Sequence, residues 1–206
     1  MAKAELSQDG TVRAWQRMLS GRRLDLLNPS PFDVEIEDIA HGLARVARWN
    51  GQTQGEHPYS VAQHSLLVEQ IFQKLFPQSQ NNECLCALLH DAPEYVIGDM
   101  ISPFKAVIGK QYESIEKRIQ DAIHMRFSLP INPNQKLFKK IKQADRIAAF
   151  YEAIILAGFS REEALRYFGH PNYILTDRLN LQPCSTQQIE NAFLTRFKEI
   201  DVQRLS

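Results

Sequence analysis

The stretch CLCALLHDAPEYVIGD, residues 84–99, decides how this sequence is interpreted. It opens as an apolar helical run, then places His90, Asp91 and Glu94 within about one turn, with Asp99 following directly after a glycine. Ionisable side chains that enter an apolar face need hydrogen-bonding partners or a metal ion, because burial alone is costly for them. The stretch therefore predicts one half of a functional site, whose partners must lie elsewhere in the chain.

Composition is typical of a single-domain cytoplasmic protein. The 206 residues suit one domain with a sizeable core, and the 24 basic and 24 acidic residues give no sign of a nucleic-acid polymer or a membrane as partner. The three cysteines do not form a disulfide framework or a zinc knuckle, which favours a reducing compartment. The sequence shows no signal-peptide core and no run of membrane-spanning length.

Hydrophobic periodicity is helical almost throughout beyond residue 32, and it predicts an all-α bundle of about seven helices. The predicted helices lie within residues 33–51, 58–77, 81–96, 112–127 and 134–158, followed by one capped by Ser160 and one capped by Ser185. Residues 1–32 are interpreted as a turn-rich N-terminal extension with one short extended segment. We expect this extension to pack on a single domain that spans residues 1–206.

Four residues on three of these helices form a candidate metal site: His64, His90, Asp91 and Asp145. Each alone has an ordinary explanation, since His64 can be a satisfied core histidine and Asp145 can pair with a neighbouring cation. Together they bring two imidazoles and two carboxylates to apolar faces, where an unpaired carboxylate is costly. This mixed donor set suits one divalent transition metal ion (Mn, Co, Fe, Ni or Zn, with Mg also allowed) better than calcium.

The ordered set resembles the HD-domain superfamily of metal-dependent phosphohydrolases, and within it the bacterial 5'-deoxynucleotidases. The stretches that carry the resemblance are ARWN with Arg48 and Trp49, SVAQHSLLVE with His64, HDAPEYVIGDMISPFK with His90, Asp91, Glu94, Asp99, Pro103 and Lys105, YESIEK, and KQADRIAAF with Asp145. The match covers residues 39–159. It implies an HD-domain helical bundle, catalytic roles for Glu94 and Asp99, a nucleotide substrate and a homodimer. The opening FDVEIEDIAHGLARVARWNG resembles related uncharacterised phage and bacterial HD hydrolases.

Glu94 and Asp99 are the candidate catalytic residues. On a continuous helix Glu94 shares a face with His90 and Asp91, from which it can orient or deprotonate an attacking water. A helix-end glutamate in solvent is the alternative. Asp99 has three candidate tasks: to position the water, to protonate the leaving oxygen or to hold the sugar.

Arg48, Trp49 and Lys105 are the candidate substrate-binding residues. Arg48 can bind a phosphate through two donors, and the ring of Trp49 can either stack on a base or anchor the helix end in the core. Lys105 can reach a phosphate or lie on the surface. His124 and His170 do not match the deoxynucleotidase pattern, which favours a site with one metal ion.

With the resemblance, the sequence predicts a metal-dependent phosphomonoesterase that hydrolyses (deoxy)nucleoside 5'-monophosphates. Two alternatives stay open. One is an HD phosphohydrolase acting on a triphosphate or a guanosine polyphosphate, which calls for more basic groups along the cleft. The other is a non-catalytic binding module with a structural metal, against which Glu94 and Asp99 argue.

Overall fold

The structure, a computed structural model, describes residues 14–101, 104–105, 107, 109–171 and 181–205. It is mostly helical, which confirms the all-α class. The helices are α1 (Ile36–Leu43), α2 (Val61–Leu75), α3 (Asn81–Leu88), α4 (Glu94–Ile97), α5 (Lys110–Arg126), α6 (Gln135–Ile155), α7 (Arg161–Phe168) and α8 (Thr186–Leu205). Two short 3₁₀ segments, Pro31–Asp33 and Arg48–Gly51, accompany them. Pro103 and residues 1–13 of the predicted extension lie outside the described residues.

A small antiparallel hairpin precedes the bundle. Its strands are β1 (Trp15–Arg17) and β2 (Arg23–Asp25), in the region where turns and one extended segment were expected. Leu24 of β2 is fully buried, and the backbone N–H of Ser20 donates to the Asp38 carboxylate on α1 at 2.9 Å. The hairpin is thereby fixed to the first helix of the bundle.

The core forms where α2 packs against α3 and α6 while α8 covers α1, α2 and α3. The apolar stripe of α8 is buried, with exposed fractions of 7%, 0%, 5% and 1% for Ile189, Phe193, Phe197 and Ile200. Within the described part of the chain, every helix is too short or too polar to cross a bilayer. α2 and α6 are therefore packed together in the core, and the same two helices carry His64 and Asp145 of the candidate site.

Ser60 and Gln63 have the spacing of a capping box at the start of α2, and the structure forms only the Ser60 half of it. The Ser60 hydroxyl accepts a hydrogen bond from the backbone N–H of Gln63, as an N-cap does. The Gln63 side chain, however, donates to the carbonyl of Gln182 at 3.0 Å and accepts from the N–H of Cys184 at 3.2 Å. Gln63 therefore ties the segment before α8 to α2 instead of closing a capping box.

The prediction of one helix over residues 33–51 is wrong at its C-terminal end, because α1 ends at Leu43. The chain that follows pairs with the segment leading into α2. The N–H of Arg48 donates to the carbonyl of Tyr59 at 2.8 Å, and the N–H of Val61 donates to the carbonyl of Val46 at 2.9 Å. This tertiary pairing outweighs local helix propensity and places Arg48 outside the helix.

The prediction of one helix over residues 81–96 is also wrong. α3 ends at Leu88, residues 89–93 form turns, and α4 begins at Glu94. Pro93 has no N–H to donate, so it cannot extend α3. His90 and Asp91 therefore lie in the connection between two helices and do not share a helical face with Glu94.

Candidate metal centre and active site

The four predicted metal ligands converge although they come from separate parts of the chain. His64 lies on α2, His90 and Asp91 lie between α3 and α4, and Asp145 lies on α6. The ligand atoms of His64, His90 and Asp145 all lie within 4.8 Å of one another. The Asp91 Oδ2 atom lies 3.2 Å from His90 Nε2 and 3.5 Å from His64 Nε2. The fold thus gathers two imidazole nitrogens and two carboxylates around one point.

This donor set fits a divalent cation. The Nε2 atoms of His64 and His90 are buried, and among the described residues neither has a hydrogen-bond partner. A buried polar atom without a partner is destabilising, and a cation between the imidazoles and the carboxylates would satisfy both nitrogens. Mixed nitrogen and oxygen donors suit Mn, Co, Fe, Ni or Zn.

The electrostatics of the two aspartates prepare them to bind a cation. Burial alone would raise the pKa of Asp91, but the neighbouring imidazoles of His90 and His64 hold it well below its usual range. At Asp145 burial is likewise outweighed, by the neighbouring imidazole of His64 and by the charge of Lys142, so its pKa is lowered too. Lys142 Nζ donates to Asp145 Oδ2 at 2.9 Å, while Oδ1 lies 3.3 Å from His64 Nε2. Both carboxylates are therefore ionised at neutral pH, as metal ligation requires.

Each histidine is oriented through the ring nitrogen opposite to the cluster. His90 Nδ1 lies 2.9 Å from the carbonyl of Ala87, and His64 Nδ1 lies 2.6 Å from Glu152 Oε1. Because a carbonyl and a carboxylate accept hydrogen bonds, these contacts assign the proton to Nδ1 in both rings. The Nε2 lone pairs are left to face the cluster, which is the tautomer that a metal ligand needs.

Glu152 is a site residue that the sequence analysis missed. It lies on α6 and is fully buried. Burial would raise its pKa, but its contacts with His64 and Arg48 outweigh that effect and lower it. A signal was present in the sequence, because Glu152 follows Asp145 by seven residues and so lies on the same face of the helix. A glutamate on a buried stripe is rare unless it is paired.

Arg48 lies beside the cluster in the 3₁₀ segment before α2. Its Nη1 lies 3.4 Å from Asp99 Oδ2 and its Nη2 lies 3.4 Å from Glu152 Oε2. The side chain is mostly buried, with 14% exposed. A guanidinium held between two carboxylates keeps its charge and retains donors for a phosphate.

Trp49, next to Arg48, has an unusual backbone. Its φ of 57° is left-handed, which costs about 1–3 kcal/mol for such a bulky residue. Its indole N–H donates to Glu152 Oε2 at 3.0 Å, and its ring packs against Phe159 and Phe168, with centroids 5.6 and 5.9 Å away. These contacts support the core-anchor interpretation, and base stacking stays a prediction.

Glu94 is the first residue of α4 and Asp99 follows the end of that helix, and the charge of Asp91 in the cluster acts on both. Glu94 is 2% exposed, which excludes the solvent position weighed for it from the sequence. Its Oε2 is buried and has no hydrogen-bond partner among the described residues. Burial, and then the charges of Asp91 and Asp99, raise the pKa of Glu94 to about 9. Burial also raises the pKa of Asp99.

Lys105 is tied to carboxylates near the site. Its Nζ donates to Glu116 Oε1 at 3.0 Å and lies 3.6 Å from Glu94 Oε1. It therefore lies within ion-pair distance of Glu94, a candidate catalytic residue, although its side chain is 31% exposed.

The two remaining candidate histidines lie apart from the cluster. His124 Nδ1 lies 2.7 Å from the carbonyl of Pro130, and His170 is exposed. Within the described ranges neither joins the group of candidate ligands.

Comparison with known proteins identifies the family to which this chain is similar. Residues 39–163 match the family model described as 5'-deoxynucleotidase YfbR-like, a segment that contains all four candidate ligands. An uncharacterized protein of Rhodobacter capsulatus is 54% identical over 184 residues, which cover 89% of this chain and 94% of that protein. The uncharacterized protein YfdR of Escherichia coli is 37% identical over 98 residues, covering 48% of this chain and 49% of YfdR. The resemblance seen in the sequence is thus confirmed, and the chain belongs to the YfbR-like 5'-deoxynucleotidase family of HD-type phosphohydrolases.

Proposed function

We propose that the protein is a metal-dependent phosphomonoesterase that hydrolyses nucleoside 5'-monophosphates, deoxynucleotides among them, to a nucleoside and inorganic phosphate. One observation carries this proposal: Glu94 and Asp99, both largely buried, lie beside the cluster of His64, His90, Asp91 and Asp145. A metal site that only stabilises the fold needs no additional buried acids beside it. Membership in the family supports the same reaction class.

The metal site is the first element of the proposed mechanism. His64, His90, Asp91 and Asp145 would hold one divalent cation of the Mn, Co, Fe, Ni or Zn type, with Mg also allowed. When bound, the cation supplies Lewis-acid polarisation of a phosphoryl oxygen and lowers the pKa of a water molecule.

The reaction itself is a displacement at phosphorus. A water oxygen forms a bond to phosphorus, the bond between phosphorus and the nucleoside oxygen breaks, and that oxygen takes up a proton. Without a cation the pKa of Glu94 is about 9, so its carboxyl group is protonated at neutral pH. A bound cation would offset the charge of Asp91 and lower that pKa, so that the ionised Glu94 carboxylate could accept the proton of the attacking water. Asp99, whose pKa is raised as well, supplies the proton to the leaving oxygen. Exchange with solvent then restores both carboxyl groups.

The cations near the cluster support a monophosphate as substrate. Arg48 neutralises the phosphate through its guanidinium donors. Lys105 and Lys142 already form contacts of 3.0 and 2.9 Å with Glu116 and Asp145. Among the residues that the structure describes, little positive charge is left near the cluster for a triphosphate or a guanosine polyphosphate, which would bring more negative charge into the site.

A product assay tests the proposal. Chelator-treated protein is supplied with Mn²⁺, Co²⁺ or Mg²⁺ and incubated with deoxy- and ribonucleoside monophosphates, a deoxynucleoside triphosphate and a guanosine polyphosphate. Orthophosphate and nucleoside from the monophosphates are the expected products. Release of pyrophosphate or tripolyphosphate would point to the polyphosphate alternative, and metal binding without turnover of any nucleotide would point to the binding module.

A ligand variant and a matched control make the assay specific. The Asp145→Asn variant should lose both metal binding and turnover, because it removes the charge of one candidate ligand. Asp121→Asn removes an aspartate that pairs with Lys117 at 2.7 Å on α5, and it should retain both properties.

Two further expectations accompany the proposal. We infer a cytoplasmic location and a homodimer, and the small-molecule nucleotide is the partner that the site would recognise. Light scattering on purified protein measures the dimer directly, and a monomeric mass at working concentration would contradict it.

A further inference from the structure

Glu152 contacts both a candidate metal ligand, His64, and two candidate substrate-binding residues, Arg48 and Trp49. Its side chain is 0% exposed, and its two oxygens contact different groups. Oε1 lies 2.6 Å from His64 Nδ1. Oε2 accepts from Trp49 Nε1 at 3.0 Å and lies 3.4 Å from Arg48 Nη2.

The contact with His64 determines what that ring can do. A carboxylate accepts hydrogen bonds and cannot donate them when ionised, so it fixes the proton on Nδ1 and leaves Nε2 as a donor of electrons. The negative charge of Glu152 also makes Nε2 more basic. His64 is itself fully buried, so solvent does not supply an alternative partner for Nδ1.

The contacts with Arg48 and Trp49 act on the other side of the same carboxylate. Trp49 is held in a left-handed backbone conformation, with φ 57° and ψ 27°, that a tryptophan rarely adopts. A hydrogen bond to a buried, ionised acceptor stabilises this conformation and fixes the direction of the preceding arginine. One buried carboxylate thus connects α6, α2 and the 3₁₀ segment.

We propose that Glu152 is a positioning residue that holds His64 for the metal through one oxygen and holds Arg48 and Trp49 for the substrate through the other. The part of this inference that concerns Arg48 and Trp49, here called the substrate half, rests on the proposed function. The part that concerns His64, here called the metal half, rests only on the geometry of His64. Glu152 does not reach the reacting atoms in this role, since its effect passes through its neighbours.

The Glu152→Gln variant separates this role from simple packing. Glutamine has nearly the same size, but its amide has one accepting oxygen and one donating NH₂ group. Because His64, Trp49 and Arg48 all donate toward Glu152, the amide satisfies one side at most. In either orientation the negative charge is lost, so the basicity of His64 Nε2 falls.

Glu69→Gln is the matched control. Glu69 is also a glutamate on a core-facing helix, and it is 2% exposed. Its two carboxylate oxygens accept hydrogen bonds from Arg196 at 2.8 and 2.9 Å, and this pair is separate from the cluster. Its replacement removes a buried charge of the same type without touching a candidate ligand. Both variants should lose stability, but only the change at Glu152 should alter metal binding.

The first measurement is a titration of chelator-treated protein with Co²⁺, followed by visible absorption. Glu152→Gln should weaken the Co²⁺ affinity by about 10- to 100-fold, as loss of an outer partner of a metal-bound histidine does, while Glu69→Gln should stay near wild type. Glu152→Asp keeps the charge on a shorter side chain and should lie between the two. Equal Co²⁺ affinity for wild type and Glu152→Gln, or no Co²⁺ binding by the wild type, overturns the inference.

The second measurement follows Trp49 fluorescence and tests the substrate half of the inference. The chain has 2 tryptophans, so the Trp15→Phe variant leaves Trp49 as the reporter. Zn²⁺ should change the Trp49 emission at the same midpoint at which it binds, and the change should disappear when Glu152→Gln is added. If Zn²⁺ does not change the emission of the Trp15→Phe protein, the proposed connection between the metal half and the substrate half is overturned.

These readouts are independent of turnover. If the protein hydrolyses no nucleotide but Glu152→Gln weakens Co²⁺ binding, the proposed function is refuted while the metal half of the inference survives. If the protein is an active phosphatase and the Co²⁺ affinity of Glu152→Gln is that of wild type, the reverse holds. Should Glu152→Gln fail to fold by circular dichroism, the Glu152→Asp titration decides the metal half.

Discussion

Replacing Gly42 by alanine should destabilise the protein, although alanine is the better helix former. A Cβ atom at this position of α1 would lie 2.8 Å from both the Cβ and the carbonyl oxygen of Tyr95 on α4. Ordinary carbon contacts lie at about 3.5–4.0 Å, so one helix must move by roughly 0.7 Å or more. Overpacking of this kind costs about 1–3 kcal/mol, against a gain of about 1 kcal/mol from helix propensity. Because the Tyr95 atoms belong to or adjoin the backbone, a rotamer change cannot relieve the overlap. We therefore expect a cost in the upper half of that range, about 2–3 kcal/mol, and a net loss of about 1–2 kcal/mol.

Urea unfolding followed by far-UV circular dichroism measures this loss as a lower midpoint at unchanged slope. Gly42→Ser carries the same Cβ with a poorer helix propensity, so it should be at least as destabilised. Since Glu94 begins the same short helix as Tyr95, kcat should fall in Gly42→Ala as well. A Gly42→Ala protein as stable as wild type, or more stable, would show that α1 and α4 do not approach as closely as described.

Three further predictions address catalysis, acid sensitivity and the core. Glu94→Gln should lower kcat by about 10²- to 10⁴-fold while Mn²⁺ affinity is retained, whereas Glu116→Gln, which removes the other carboxylate near Lys105, should leave kcat near wild type; steady-state kinetics with equilibrium metal titration measures both. Burial lowers the pKa of His124 below its ordinary value of about 6.5, so the unfolded chain binds its proton more readily; this contribution to stability is present above that value and is lost as the pH falls below it. His124→Gln should therefore flatten the fall in unfolding free energy between neutral and mildly acidic pH, and an unchanged slope in urea titrations would contradict the assignment. Phe193→Ala, at a fully buried position, should cost about 3–5 kcal/mol, while Val202→Ala on the same helix, 67% exposed, should cost less than about 0.5 kcal/mol by the same measurement.

The long periodic helices could be predicted because their signal is repeated over many residues. The stripe of α8 and the length of α6 follow from apolar spacing, and Ser60 and Ser160 mark starts through local hydrogen bonds that need no tertiary information. The candidate ligands could likewise be predicted from the sequence, since His64 and Asp145 each place a polar group on an otherwise apolar stripe. Local pattern was enough wherever the physical cause was itself local.

The helix ends near Arg48 and His90 could not be predicted from the same pattern. Val46 is apolar and falls on the helical stripe, yet its carbonyl is used by Val61, a contact that periodicity does not reveal. Glu152 escaped notice for a related reason. Its spacing from Asp145 places it on the same face of α6, but only the approach of α2 and the 3₁₀ segment shows that its oxygens are shared.

The two interrupted helices also explain how the candidate site is assembled. His64 and Asp145 lie on helices whose other faces are packed in the core, so their backbone is fixed before any ligand binds. His90 lies in turns and Arg48 lies in the 3₁₀ segment, so neither side chain follows the direction of a long helix. A continuous helix over residues 81–96 would have kept His90 and Glu94 on one helical face, and Pro93 prevents this. The break at Pro93 allows His90 to lie beside Asp145 while Glu94 begins a separate helix, which is the arrangement that the proposed reaction uses.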